Sequence, residues 1–261
     1  MKPILSAYLW GFDKPQAADV AFRKFREFYK EGTIHCTVDL GGDEENFRKI
    51  CKKWNAHMKV NPINVGRCGF MNHYENYNES SPQPELSRKC WPKENAFVWM
   101  DRLYEVAKSC GSKYLISLED DTYILKPITI LEKDFGISVF EYNTNILPQL
   151  YLNMVKDLGG NINLPKNIFG RVGYGAGGGF IINCEIFIKG WEIFKPFLEK
   201  EYDNIKKLDH LIGWVDVLPQ LTIMVGGGEV LQNPQMIQTW YHERPDLYPT
   251  FTHWRDYEIA D

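Results

Sequence analysis

Short apolar runs of strand length alternate with longer segments that carry apolar residues at helical spacing through the first half of the chain. No other feature limits the fold as much, because repeated strand–helix–strand units imply a parallel sheet covered by helices. "PILSAYLW" reads as the first strand. In "KPQAADVAFRKFREFYKEG", Val20, Phe25, Phe28 and Tyr29 mark one helical face, and Gly32 stops the helix. "TIHCTVDLGG" is a second strand ending at Asp39. Asp43 is placed to cap the next helix, along which Phe47, Ile50, Cys51 and Trp54 recur at helical spacing. "MKVNPI" is a short third strand. Residues 66 to 93, rich in Asn, Ser and Pro, read as a long loop. "KENAFVWMDRLYEVAKSCG" is then a helix with Phe97, Met100, Tyr104 and Ala107 along one face, and "KYLISL" is the next strand. The expected class is therefore α/β, with a mixed, mostly parallel central sheet flanked by helices. The whole chain, 1–261, reads as a single domain.

Composition narrows the function. A net charge of -4 predicts no broad basic surface for nucleic acid. No run approaches the roughly 18 apolar residues of a membrane span. The N-terminus reads as a strand rather than a signal peptide. The six cysteines are scattered without a C-x-x-C pair, so reduced thiols in a cytoplasmic protein are expected.

The strand "KYLISL" runs directly into Glu119, Asp120 and Asp121, and "TYIL" follows. In open α/β sheets ligands bind beyond the carboxyl ends of the strands, which is where these acids fall. Three adjacent carboxylates repel one another unless water or a cation screens them. A solvated turn or helix cap is the plain reading of an acid run. The apolar flanks favour a metal instead, and hard oxygen ligands suit Mg²⁺ or Mn²⁺, which would bring a phosphate-bearing substrate.

This alternation, followed by a D-x-D-type triplet after an apolar strand, resembles the GT-A glycosyltransferases. The compact format also loosely resembles the glycosyltransferases encoded by large DNA viruses. The resemblance implies a GT-A, Rossmann-like domain whose nucleotide-binding half spans about residues 1–125 and whose acceptor-binding half spans about 126–261. It implies that the triplet holds Mn²⁺ or Mg²⁺ on the diphosphate of a nucleotide sugar, most often UDP-linked. Asp121 would be the direct ligand, and Glu119 departs from the strict pattern by being Glu. Backbone at Ala7, Tyr8 and Leu9 would contact the base, and Asp39 would accept a hydrogen bond from uracil or ribose. A histidine of the C-terminal segment, His253 first and His242 second, would close the metal site. Trp240, Tyr241 and Trp254 could stack on sugar faces or simply tie the terminus down.

The second half offers further candidates. "GRVGYGAGGGFIIN" holds six glycines, and Gly173, Gly175 and Gly178 satisfy G-x-G-x-x-G. The fingerprint needs a preceding strand and a following helix, whereas "FIIN" reads as a strand. Gly178 and Gly179 would instead let backbone approach the donor, as in GT-A enzymes, or the stretch is a plain flexible loop. "CEIFIKGWEIFKPFLEKEY" is an amphipathic helix with Ile186, Trp191, Phe194 and Leu198 in the core. Transfer with inversion needs a carboxylate to deprotonate the acceptor hydroxyl. Asp216, heading "DVLPQLTIMVGG", is the first candidate and Asp209 the second; either could be a helix cap. The expected function is metal-dependent transfer of a sugar from a UDP-sugar to a carbohydrate acceptor. Two alternatives stand beside it. A nucleotidyltransferase would use the same metal site but carry a Gly-rich basic N-terminal loop, which is absent here. A non-catalytic carbohydrate-binding protein is suggested by the 14% aromatic content.

Overall fold

The protein is described from a computed structural model, which covers residues 4–66, 91–118, 123–139, 142, 145–175 and 179–232. Strands from both halves of the chain join one seven-stranded sheet in the order β3-β2-β1-β4-β6-β5-β7. They are β1 (Leu5–Gly11), β2 (Ile34–Val38), β3 (His57–Val60), β4 (Tyr114–Leu118), β5 (Ile137–Val139), β6 (Phe180–Asn183) and β7 (Val230–Gln232). The expected class is the one found. β6 is antiparallel to both β4 and β5, while all other pairings are parallel. The carboxyl ends of the other strands and the amino end of β6 therefore share one edge of the sheet.

The helices are α1 (Pro15–Phe28), α2 (Glu44–Lys53), α3 (Lys93–Ser109), α4 (Gln149–Asp157), α5 (Cys184–Leu208) and α6 (Val217–Val225). Asp43 caps α2 as expected, accepting from Asn46 N at 3.3 Å. Alternation along the strands feeds two cores. Leu5, Ala7 and Leu9 of β1 face a cluster with Phe22, Phe25 and Phe47 from α1 and α2. Tyr8, between them, faces a larger cluster built from α3, α4, α5 and α6. Burial of both faces explains why β1 and β4 read as unbroken apolar runs rather than as alternating ones.

α5 and α6 pack closely because Gly190 leaves room. A Cβ there would stand 1.9 Å from Thr222 O. The four described cysteines are free and buried, and Cys110 Sγ lies 3.7 Å from Cys184 Sγ, well outside a covalent bond. Among the described residues no helix is long and apolar enough to cross a membrane.

Candidate active site at the carboxyl edge of the sheet

The chain adds β2 and β3 on one side of β1, then crosses to place β4 on the other. The order of strands reverses there, so the crevice of an open α/β sheet lies at the carboxyl ends of β1 and β4. Leu9 is in register with Leu118, the last residue of β4. The chain thus leaves β4 at Leu118 beside the end of β1, and Glu119, Asp120 and Asp121 follow in the sequence. Those three acids lie outside the described residues, as do Gly178, Trp240, Tyr241, His242, His253 and Trp254. Among the described residues no three metal-ligating side chains come together. As a donor set, three adjacent carboxylates are hard and anionic, which fits Mg²⁺ or Mn²⁺.

On β1 the residues read as contacts to the base are Ala7, Tyr8 and Leu9. Ala7, Tyr8 and Leu9 are buried, and their positions are in register with β2 on one side and β4 on the other. Their backbone groups are taken by the sheet, so they form the floor below the crevice. Trp10, Gly11 and Phe12 are the residues that reach its mouth.

Asp39 follows the last residue of β2, as read from sequence, yet it is only 1% exposed. Its Oδ1 accepts from Asn61 Nδ2 at 2.7 Å and its Oδ2 from Gly66 N at 3.2 Å. Burial raises the carboxyl's pKa, while the hydrogen bonds from Asn61 and the Gly66 N–H pull it back. Asn61 in turn accepts from Arg102 Nε at 3.1 Å. This network ties the segment 61–66 to the ends of β1 and β2. Trp91 fastens the next piece: its indole donates to Gly66 O at 2.8 Å, and its backbone N–H donates to Gly213 O at 3.0 Å. Its ring meets Trp10 edge-on at 5.7 Å. Trp91 therefore joins the end of β1 to the segment that leads into α6.

The two candidate bases stand at different element ends. Asp209 Oδ1 accepts from Leu211 N at 2.8 Å and from Tyr151 Oη at 3.0 Å, which makes it a cap on the turn 210–213. Asp216, half-buried at the start of α6, makes no capping bond to that helix. α6 begins on the crevice edge, because it leads back through Gly226 to β7, whose carboxyl end lies on that edge.

Sequence reading missed Gln220. This residue is fully buried on α6, and its Nε2 donates to Gly173 O at 2.9 Å while its Oε1 accepts from Gly175 N at 3.1 Å. The signal was a lone amide in the apolar run "VLPQLTIMV". Gln220 also explains part of the glycine-rich stretch. A Cβ on Gly173 would meet Tyr142 O at 2.1 Å, and one on Gly175 would meet Val139 Cβ at 2.2 Å. In these two places glycine serves close packing against the end of β5. Gly179 has φ +108°, a conformation that favours glycine, just before β6 begins.

No family model matches the chain, and no curated protein matches it. Solved structures with a similar chain trace include the galactosyltransferase LgtC in complex with donor and acceptor sugar analogues. Identity is 12%, with 96% of this chain and 87% of that one covered and a TM-score of 0.47. A second is glucosyl-3-phosphoglycerate synthase from Mycobacterium tuberculosis in complex with Mn²⁺, UDP and phosphoglyceric acid, at 9% identity, 88% and 68% coverage and TM-score 0.42. A third is core-mannan synthase A from Aspergillus fumigatus in its Mn/GDP form, at 10% identity, 85% and 65% coverage and TM-score 0.44. The viral resemblance finds no support in these comparisons.

Proposed function

We propose that this protein is a metal-dependent glycosyltransferase that moves a sugar from a UDP-sugar to a carbohydrate hydroxyl with inversion. One observation carries the reading: β4 runs directly into Glu119, Asp120 and Asp121 at the point where the strand order reverses. A divalent cation held by these carboxylates, Asp121 foremost, supplies charge neutralisation for the departing diphosphate. Closure of that site by His253, with His242 the second choice, is part of the same proposal.

The chain's own residues supply the rest. The Asp39–Asn61 pair fixes the wall 61–66 beside the end of β1, where the nucleoside would lie. Asp39 thus acts by holding that wall, or meets the nucleoside only after exchanging one of its present partners. Gly173, Gly175 and Gln220 set the path of the glycine-rich stretch toward Gly178 and Gly179. Asp216 accepts the proton of the acceptor hydroxyl as its oxygen attacks the anomeric carbon and the nucleoside diphosphate leaves. What supports Asp216 is its place at the head of α6, which begins on the crevice edge.

Two variants test the assignment. Asp121→Asn should retain the fold and lose metal-dependent transfer, since an amide replaces an anionic ligand. Asp216→Asn should lower turnover by about 10²- to 10⁴-fold with donor affinity little changed. Full activity of Asp121→Asn in Mn²⁺ would remove the metal assignment, and full activity of Asp216→Asn would remove the base.

A further inference from the structure

The crevice edge also carries most of the large exposed apolar side chains among the described residues. Phe12, Leu40, Ile146, Ile168 and Phe169 all lie on segments at the carboxyl edge of the sheet, against Ile4, Ile193 and Leu208 elsewhere among the described residues. The most exposed pair on that edge is Ile168 at 69% and Phe169 at 58%, side by side at the tip of a hairpin.

That hairpin is stiff. Lys166 and Val172 form its closing bridge, and Val172 O accepts from Leu147 N at 2.8 Å. Buried Asn167 holds the tip from within: its Oδ1 accepts from Phe169 N at 3.0 Å and Arg171 N at 3.1 Å, and its Nδ2 donates to Asn145 O at 2.6 Å. Gly170, with φ +69°, completes the turn. Two apolar side chains are thus presented to water by a turn in which the backbone N–H groups of Asn167, Phe169, Gly170 and Arg171 are all bonded, so placing them in an apolar medium requires little ordering of the loop. Lys166 and Arg171 flank them, both exposed, and neither pairs with a carboxylate among the described residues.

We propose that the hairpin Lys166–Val172 docks this protein on an anionic lipid surface, with Ile168 and Phe169 entering the interface and Lys166 and Arg171 meeting lipid phosphates. Apolar insertion and a few cations at the headgroup level are the two terms that hold peripheral proteins on such surfaces. The choice of an anionic surface rests on the two cations. Because the chain as a whole carries -4, adsorption through overall charge is opposed, and attachment must come from this local pair. The docked hairpin turns the crevice edge toward the headgroups, which puts a lipid-borne acceptor hydroxyl within reach; this corollary rests on the transferase reading, whereas the docking does not.

Vesicle co-sedimentation of the full chain, without donor or metal, tests the docking apart from the chemistry. Phosphatidylcholine vesicles containing phosphatidylserine should bind the protein, and pure phosphatidylcholine vesicles should not. The pair Ile168→Ser with Phe169→Ser should lower partitioning by at least about tenfold. Lys166→Ala and Arg171→Ala should each lower it about fivefold and reduce its salt dependence. All four residues are exposed, so the variants should unfold at the wild-type denaturant midpoint. Failure of the wild type to bind anionic vesicles, or binding unchanged by the double substitution, overturns the proposal. Wild-type transfer to a soluble acceptor together with failed vesicle binding would leave the transferase reading standing and remove the docking.

Discussion

Gln220→Leu removes both hydrogen bonds between α6 and the glycine-rich stretch while conserving most of the side-chain volume. The two lost bonds measure 2.9 and 3.1 Å, and their partners, Gly173 O and Gly175 N, sit on buried residues. Neither can be rehydrated where it stands, because Tyr142 and Val139 pack against those glycines. A buried polar group left without a partner costs about 1–3 kcal/mol, so losing both bonds should cost about 2–6 kcal/mol of stability. The assay is urea unfolding with the slope compared between variants, alongside turnover of a nucleotide sugar. Gln220→Glu gives a second signature. An ionised carboxylate can accept from Gly175 N but turns an oxygen toward Gly173 O, whereas the protonated acid donates there. Its deficit should therefore shrink as the pH is lowered. A Gln220→Leu protein within about 0.5 kcal/mol of wild type, with normal turnover, would refute the claim that Gln220 holds this stretch.

Two structural predictions go with it. His35 stacks on His57 at 5.0 Å, and burial with the neighbouring His57 charge pushes its pKa down to about 4. Folded His35 is then neutral where the unfolded residue, near 6.5, binds a proton. Stability should be complete above about pH 6.5 and fall by about 2–3 kcal/mol between there and pH 4. Thermal unfolding across that range should show the loss, and His35→Gln should flatten it; a slope that survives the substitution assigns it elsewhere. Gly190→Ala forces a Cβ to within 1.9 Å of Thr222 O and should cost about 3 kcal/mol. Gly159→Ala, at φ +75° with nothing near its Cβ, should cost only about 1–2 kcal/mol, and the reverse order in urea unfolding would contradict the close packing of α5 on α6.

The parts of the fold that were legible in sequence are the local ones. β1, α1, β2, α2, β3, α3 and β4 each carry a local signal, an apolar run or a helical period, so the first half reads in order. α4 went unread, and three-residue β5 is too short to carry a period. The antiparallel course of β6 between β4 and β5 is written in contacts between distant segments, which no local pattern displays. The site divides in the same way. Asp39 and Asp216 could be placed at element ends because strand and helix limits are local signals. The burial of Asp39 under Asn61 and Gly66, and the role of Trp91 as a tie between β1 and the 213 turn, depend on side chains far apart in the chain. How deeply the sheet buries Ala7, Tyr8 and Leu9 was not legible either, because it depends on both neighbouring strands.

Calorimetric titration of UDP into the protein, with Mn²⁺ and with a chelator, tests the central claim most directly. The account predicts UDP binding that Mn²⁺ strengthens at least about tenfold, a gain of about 1.4 kcal/mol. Asp121→Asn should lose that gain while keeping the wild-type unfolding midpoint. No binding of UDP under either condition, or equal binding with Mn²⁺ and with chelator, would contradict a metal-assisted nucleotide site at the junction of β1 and β4.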